Sequence, residues 1–387
     1  MKDIYITGRG LATPAGASVG ANWQALASGV PRISWDEVLG PVGRASSEVE
    51  AALTELSREK RLRYQDRATR LGLLAAREAY QEAGRPASAD MAVIMGSSRG
   101  ATSTVEREHD RFLEVGKVQA TTSPVSTAGI FSSAVSQDLG AGRLSLSVSS
   151  ACATSLNALG VGAALLETGL AKHVLAGGTE ASLTPFTLAQ LRATSVLARQ
   201  ASALYPCRPL HPERTGLVPG EGAACLLLTT APVVPPLARL AGFGAATEAA
   251  TATGVSPEAQ VLSDAVAQAL DQAGVEATEI GLVVGHGAGT VKGDAAELAA
   301  YRRIFGDSLP PATFHKWLTG HMIGASSAFS VVLATLHLFT GLVPGLPYFE
   351  DGMAMGSGET LRLKPRYILV TALGFGGNAS AIVLAAV

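Results

Sequence analysis

AAREAYQEAGRPASADMAVIMGSS (residues 75–98) returns in altered form as AVAQALDQAGVEATEIGLVVGHGAG (residues 265–289), and this echo decides the fold. In each copy apolar residues recur at three- and four-residue spacing, which predicts a helix that ends at a glycine cap, Gly84 or Gly274. A short linker then leads into a buried strand that stops at Gly96 or Gly285. Two halves of related design follow. The proline-rich junction APVVPPLARLAG (231–242) lies between them, so the expected units are residues 1–235 and residues 236–387. Apolar runs of strand length at Ile4–Ile6, Leu144–Val148, His173–Ala176, Ala224–Leu228 and Tyr367–Val370 alternate with helical segments. That alternation predicts a layered α/β architecture.

Composition narrows the function. Hydrophobic residues make up 47% of the 387 and charged residues 16%, which excludes intrinsic disorder and supplies a large core. The 30 basic and 32 acidic residues leave a net charge of −2, so no general attraction for nucleic acid exists. Three cysteines cannot staple a chain of this length, which indicates a reducing compartment and makes each thiol a candidate for chemistry. The opening MKDIYITGRG is too short in apolar residues for a signal-peptide core, and cytoplasmic residence is expected. Residues 144–166 and 317–349 carry no Asp, Glu, Lys or Arg. The first holds five serines and the second is broken by Gly320, Gly324, Gly341 and Pro344, so both read as core segments rather than membrane spans.

Cys152 lies in SLSVSSACATSLNALGVGAALLETG (145–169), where a strand gives way within a few residues to a long Ala/Leu helix. A thiol in that turn sits beside first-turn N–H groups, which favour the thiolate and can form part of an oxyanion hole. An isolated cysteine is more often a small buried hydrophobe, the reading given to Cys207 and Cys225. His286 in LVVGHGAGT and His321 in HKWLTGHMIGASSA are each flanked by glycine, which lets a substrate approach the imidazole edge. Two such histidines with Cys152 at a strand end shift the balance toward function. His109, His173, His211, His315 and His337 lack that setting, and His337 reads as a core histidine.

These residues resemble the β-ketoacyl-acyl carrier protein synthases of the thiolase-like superfamily. SACATS resembles the family's nucleophile elbow, and AGGTEAS (176–182) the strand and turn after its helix. RPLHPERTGLVPGEGAA (208–224) is similar to R-P-F-D-x-x-R-D-G-F-V-x-G-E-G-A-G. GHGAGTVKGDAAE (285–297) is similar to H-G-T-x-T-x-x-x-D-x-x-E, KWLTGHMIGAS (316–326) to K-x-x-x-G-H-x-x-G-A-A, and GFGGNA (374–379) to the C-terminal G-F-G-G turn. The motifs follow the family's order from end to end.

The resemblance implies an α/β thiolase-like fold, two pseudo-repeated halves in a layered α-β-α-β-α sandwich, and decarboxylative Claisen condensation. Cys152 would take an acyl group from a carrier protein, with the amides of Cys152 and Phe375 on the thioester oxygen. His286 and His321 would stabilise the enolate formed from malonyl-carrier protein, and Phe375 would gate the two half-reactions. Lys316 matches the motif lysine. Thr290, Thr319, Gly376 and Asn378 would contact the phosphopantetheine-borne substrate, and Phe131 would narrow the acyl channel. No separate cofactor or metal is called for: GRGLATPAG does not complete a dinucleotide fingerprint, and the histidines are scattered.

Departures from the pattern mark a divergent member. The glutamate usual nine residues beyond the second histidine is Ser330, which deprives Lys316 of its expected partner, and Ala288 replaces the first threonine of H-G-T-x-T. Cys152 argues against a chain-length-factor-like partner that condenses nothing. A coenzyme A thiolase lacks its second cysteine here, and a papain-like hydrolase leaves the second histidine and Lys316 unexplained. Expected partners are an acyl carrier protein and a second copy in a homodimer, or a related ketosynthase in a heterodimer. Arg58, Lys60, Arg61, Arg63 and Arg67 offer a basic docking patch or a solvated charged face.

Overall fold

Residues 2–199, 204–249, 254 and 256–387 are described by a computed structural model. The first half supplies strands β1 (Ile4–Ala12), β2 (Met91–Gly96), β3 (Ser145–Val148), β4 (His173–Glu180) and β5 (Gly222–Thr229). The second supplies β6 (Ala238–Thr247), β7 (Ile280–Val284), β8 (Ala312–Thr313), β9 (Tyr367–Gly374) and β10 (Asn378–Ala385). Their order across one mixed sheet is β8-β7-β9-β10-β6-β1-β5-β4-β2-β3.

That order is the echo written in space. In the first half β1 pairs antiparallel with β5, β5 antiparallel with β4, and β4, β2 and β3 run parallel. In the second half β6 pairs antiparallel with β10, β10 antiparallel with β9, and β9, β7 and β8 run parallel. Each strand thus has a counterpart five strands later. The halves meet along a short antiparallel ladder of β1 and β6, with Ile4 opposite Leu240 and Ile6 opposite Ala238.

Helix α1 (Arg67–Glu82), capped by the Asp66 side chain on the Ala68 N–H at 2.8 Å, covers the outer face of the first half. Its counterpart α3 (Gln260–Ala273) covers the outer face of the second, with α4 (Val291–Phe305) beside it. Between the two halves of the sheet lie α2 (Thr154–Glu167) and α5 (Ser326–Thr340), which pack on each other and on strands of both halves. Gly274 caps α3 in the left-handed region at φ 64°, whereas α1 is capped by Ala83 with Gly84 one residue later at φ 74°. The expected glycine cap is therefore displaced by one residue in the first copy.

Neither central helix has a charged face, because most of each is buried. The segment Ile323–Thr340 is long and apolar enough to cross a membrane, yet 83% of it is buried inside the protein, as expected of a core helix. Cys207, Cys225 and His337 are fully buried, in keeping with their structural reading. Layering of this kind fixes the site, since α2 and α5 both begin near the carboxyl ends of parallel strands.

Candidate active site

Cys152 sits where the sequence places it, between β3 and α2. The turn is held by its own side chains: the Thr154 hydroxyl accepts from the Ser150 N–H at 2.8 Å and donates to the Ala151 carbonyl at 2.6 Å. Asn157 reaches back to the Ser150 hydroxyl at 2.7 Å and accepts from Ser380 at 2.6 Å, which ties the turn to β10. Ala151 stands at φ 51°, a left-handed conformation costly for a residue with a Cβ and often stored at functional turns.

The hairpin Phe375-Gly376-Gly377 between β9 and β10 packs onto that turn. Gly376 and Gly377 take φ values of 75° and 70°, and a Cβ on Gly374 would meet the Ser150 carbonyl at 3.1 Å and the Cys152 nitrogen at 3.2 Å. A side chain there would force these neighbours to give by a few tenths of an ångström, which glycine avoids. The close approach brings the Phe375 N–H within hydrogen-bonding reach of the Cys152 sulfur. The Asn378 amide holds the Phe375 carbonyl at 2.9 Å and so fixes the tilt of the hairpin.

One ligand-type atom each from Cys152, His286 and His321 lies within 4.8 Å of the others, and the two imidazoles meet edge to face at 5.4 Å. His321 Nδ1 accepts from the Ile323 N–H at 3.1 Å, so in the neutral ring the proton resides on Nε2. Nε2 is buried with no hydrogen-bond partner among the described residues. Lys316 donates to the His286 carbonyl and stands 3.5 Å from His286 Nδ1. An ammonium there favours the lone pair on Nδ1 and the proton on Nε2.

Burial followed by the Lys316 charge holds both histidines well below the ordinary imidazole pKa, hence neutral. Burial also pushes the Cys152 thiol up to about 11, outweighing Lys316 and the Phe375 amide. The turn's donors and the Lys316 charge favour the thiolate, as the sequence predicts, while desolvation of this half-buried residue opposes them and is the larger influence. Thiolate and imidazole are also zinc-ligand chemistry, but the Lys316 ammonium beside His286 opposes a cation.

No carboxylate stands at Ser330, and the acidic group that acts on Lys316 is Glu297 of α4, the last residue of the H-G-T-x-T-x-x-x-D-x-x-E resemblance. Burial lowers the Lys316 pKa, and the Glu297 charge is the largest influence opposing that drop. Glu297 accepts from the His286 N–H at 2.6 Å, the Gly287 N–H at 2.8 Å and the Tyr301 hydroxyl at 2.7 Å, clamping the histidine loop. A second buried carboxylate, Glu180 at the end of β4, accepts from Ser97, Ser98, Arg99 and Gly324. Both glutamates escaped the sequence reading as site residues. Their signal was present in GDAAE and GGTEA, but spacing alone does not say which backbone amides a carboxylate will gather.

The remaining expected residues are spread around this centre. Thr290 is half-buried at the start of α4, and Phe131 is buried at 3% exposure among apolar residues of the first half. Thr319 is fully buried, its hydroxyl on the Gly320 carbonyl at 3.1 Å. A groove of about 280 Å³ lined by Trp35, Leu39, Arg192, Leu197 and Pro219 opens beside the site, and Leu197 joins the apolar cluster on which Cys152 packs. In the basic cluster Arg58 pairs with Glu55, Arg61 with Asp138, and Arg67 with Glu50 and Glu221.

The beta-ketoacyl synthase N-terminal domain model matches residues 1–232, and the beta-ketoacyl synthase C-terminal domain model matches residues 237–350. The chain belongs to the beta-ketoacyl synthase family. It is 28% identical over 404 residues to 3-oxoacyl-[acyl-carrier-protein] synthase 2 of Staphylococcus aureus, spanning 99% of this chain and 98% of that one. It is likewise 28% identical over 415 residues to the tetracenomycin polyketide synthase ketoacyl synthase alpha subunit of Streptomyces glaucescens, spanning 99% and 97%. A beta-ketoacyl synthase from Burkholderia phymatum superposes with a TM-score of 0.88 at 25% identity over the whole of both chains. The ishigamide ketosynthase/chain length factor superposes at 0.91 with 22% identity over 100% of this chain and 99% of that chain, a likeness of fold. The thiolase-like α/β reading of this beta-ketoacyl synthase is thereby established.

Proposed function

We propose that the protein is a condensing acyltransferase of the 3-oxoacyl-carrier-protein synthase type, acting through Cys152, His286 and His321. The observation that carries this is the buried N–H of His321 Nε2, unpartnered and gathered with His286 around the Cys152 thiol. In the first half-reaction the Cys152 sulfur attacks an acyl thioester. The Sγ–carbon bond forms, the carbon–sulfur bond to phosphopantetheine breaks, and the thiol proton leaves with the departing sulfur. The Cys152 and Phe375 amides hold the oxyanion.

In the second half-reaction malonyl thioester loses carbon dioxide, and the enolate oxygen takes hydrogen bonds from the two imidazoles. Its carbon attacks the acyl group, and Cys152 leaves and regains a proton from water. Neutral imidazoles suit this role, because a fixed N–H stabilises charge where it develops. Burial, with the Lys316 charge second, keeps both rings neutral. Thr290, Thr319, Gly376 and Asn378 belong to the phosphopantetheine path and Phe131 to the acyl channel in this reading. The substrates arrive on a carrier protein in a cytoplasmic setting, and no separate cofactor is required.

We place dimerisation on the free edge of β3, where Leu144 and Leu146 are 49% and 41% exposed. An unpaired apolar edge is a template for another strand. A second copy is the proposed occupant; a related ketosynthase would use the same edge, and native mass of the purified and the co-expressed chain separates the two. A non-condensing role is disfavoured by the intact Cys152. We place the boundary between the two halves at residues 235 and 236.

The test is intact-protein mass of wild type and Cys152→Ala after incubation with a panel of acyl-carrier proteins, without malonyl donor. An acyl-sized gain confined to wild type is expected. Failure of every chain to load while the thiol stays titratable would overturn the reading.

A further inference from the structure

Ser326 occupies the position at which the family motif G-A-A carries its second alanine, in Gly324-Ala325-Ser326. It is the first residue of α5, one position past the N-cap at which a hydroxyl usually caps a helix. The N-cap of α5 is Ala325, and no side chain caps it. The Ser326 hydroxyl lies instead 2.9 Å from His321 Nδ1, buried at 3% exposure.

The Ile323 N–H already points at that nitrogen from 3.1 Å, and its direction is fixed by the turn Ile323–Ala325. Glu180 pins the turn by accepting the Gly324 N–H at 3.1 Å. Nδ1 is therefore an acceptor, and the freely rotating Ser326 hydroxyl can only donate to it. Two donors then converge on one lone pair, and a proton can bind Nδ1 only by displacing both.

We propose that Ser326 is a positioning residue that locks His321 as the neutral Nε2–H donor, a device the alanine of the family motif cannot supply. The groups facing His321 from its other sides are Cys152, His286 and the Lys316 ammonium. Lys316 already disfavours the imidazolium through charge. Ser326 acts differently, through geometry at the nitrogen away from the substrate.

The direct test does not depend on the condensing reaction. With 15N-labelled histidine, long-range proton–nitrogen correlation of the wild type, assigned against His321→Gln, should show Nε2 protonated and Nδ1 bare from pH 6 to 8. In Ser326→Ala the ring should take up a proton at a pH about one unit higher, roughly the effect of one hydrogen bond. Ser326→Thr keeps the hydroxyl and should match wild type, as should Ser330→Ala one turn further along α5. A bare Nε2 in wild type, or a Ser326→Ala titration indistinguishable from wild type, overturns the proposal. Should Ser326→Ala not fold, Ser326→Cys replaces it, with a smaller shift expected and none counting against.

A kinetic arm rests on the proposed function. Ser326→Ala should acylate Cys152 at the wild-type rate and lose about tenfold in malonyl-dependent turnover. Equal loss in both half-reactions counts against a His321-specific role. If wild type itself does not load, the functional reading fails, while the nuclear magnetic resonance result still decides the lock.

Discussion

The hydroxyls of Ser155 and Ser327 meet at 2.7 Å, and through them the nucleophile's helix is joined to the helix that follows His321. Ser327 accepts from the Leu156 N–H and donates to the Cys152 carbonyl, both at 3.3 Å, and Ser155 accepts from the Ala328 N–H at 2.8 Å. Removing either hydroxyl leaves buried backbone groups unpaired, so Ser155→Ala or Ser327→Ala should cost about 1–3 kcal/mol. The double variant should cost clearly less than the sum, as contacting residues do. Urea unfolding of the four proteins measures this, and strict additivity would show that the two hydroxyls act independently.

Cys152 should react slowly at neutral pH. With its pKa pushed to about 11 by burial, labelling by iodoacetamide should rise steadily from pH 7 to beyond 10. Lys316→Met removes the charge that most favours the thiolate and should slow labelling at every pH. Mass spectrometry of the Cys152 peptide reads the rate. A plateau near pH 8 would contradict the buried thiol.

Gly374→Ala tests the contact between hairpin and elbow. The added methyl must displace the Cys152 nitrogen or the Ser150 carbonyl, and the Phe375 N–H moves with it. Acyl loading should fall about a hundredfold, as for loss of one oxyanion donor, with a stability loss of about 1–3 kcal/mol from overpacking. Stopped-flow loading and thermal melting separate the two effects. Unchanged loading would remove the Phe375 amide from the proposed oxyanion hole.

Acid should destabilise the fold through a histidine pair outside the site. His315 Nε2 and His337 Nε2 lie 3.2 Å apart in the core, and His337 Nδ1 donates to the Leu342 carbonyl at 2.7 Å. Burial lowers the His337 pKa from 6.5 to about 4. Between those values the unfolded chain binds the proton and the folded chain does not. Stability is therefore complete above pH 6.5 and falls as pH drops toward 4, by about 3 kcal/mol for this residue. His337→Gln keeps a donor for Leu342 and should flatten that part of the curve of Tm against pH.

The sequence by itself determined the frame. A repeated helix–linker–strand pattern announced two halves, and the halves appear as two sets of five strands with matching directions. Local chemistry was legible for the same reason. Cys152 in a strand-to-helix turn and histidines flanked by glycine are properties of short stretches, whose conformation neighbouring residues dictate.

What the tertiary structure alone decided concerns groups brought together from distant parts of the chain. Glu297 places a negative charge near Lys316 and clamps the histidine loop, and Glu180 gathers amides from both halves. Local donors to Cys152 can be read from a turn, whereas its desolvation depends on everything packed around it. Ser326 looks like any helix-starting serine until the Ile323 amide fixes which nitrogen of His321 it faces. Backbone patterning is a short-range, periodic signal written into the sequence, but pKa values and tautomers are set by burial and by contacts that exist only once α2, α5 and the two halves of the sheet have closed on one another.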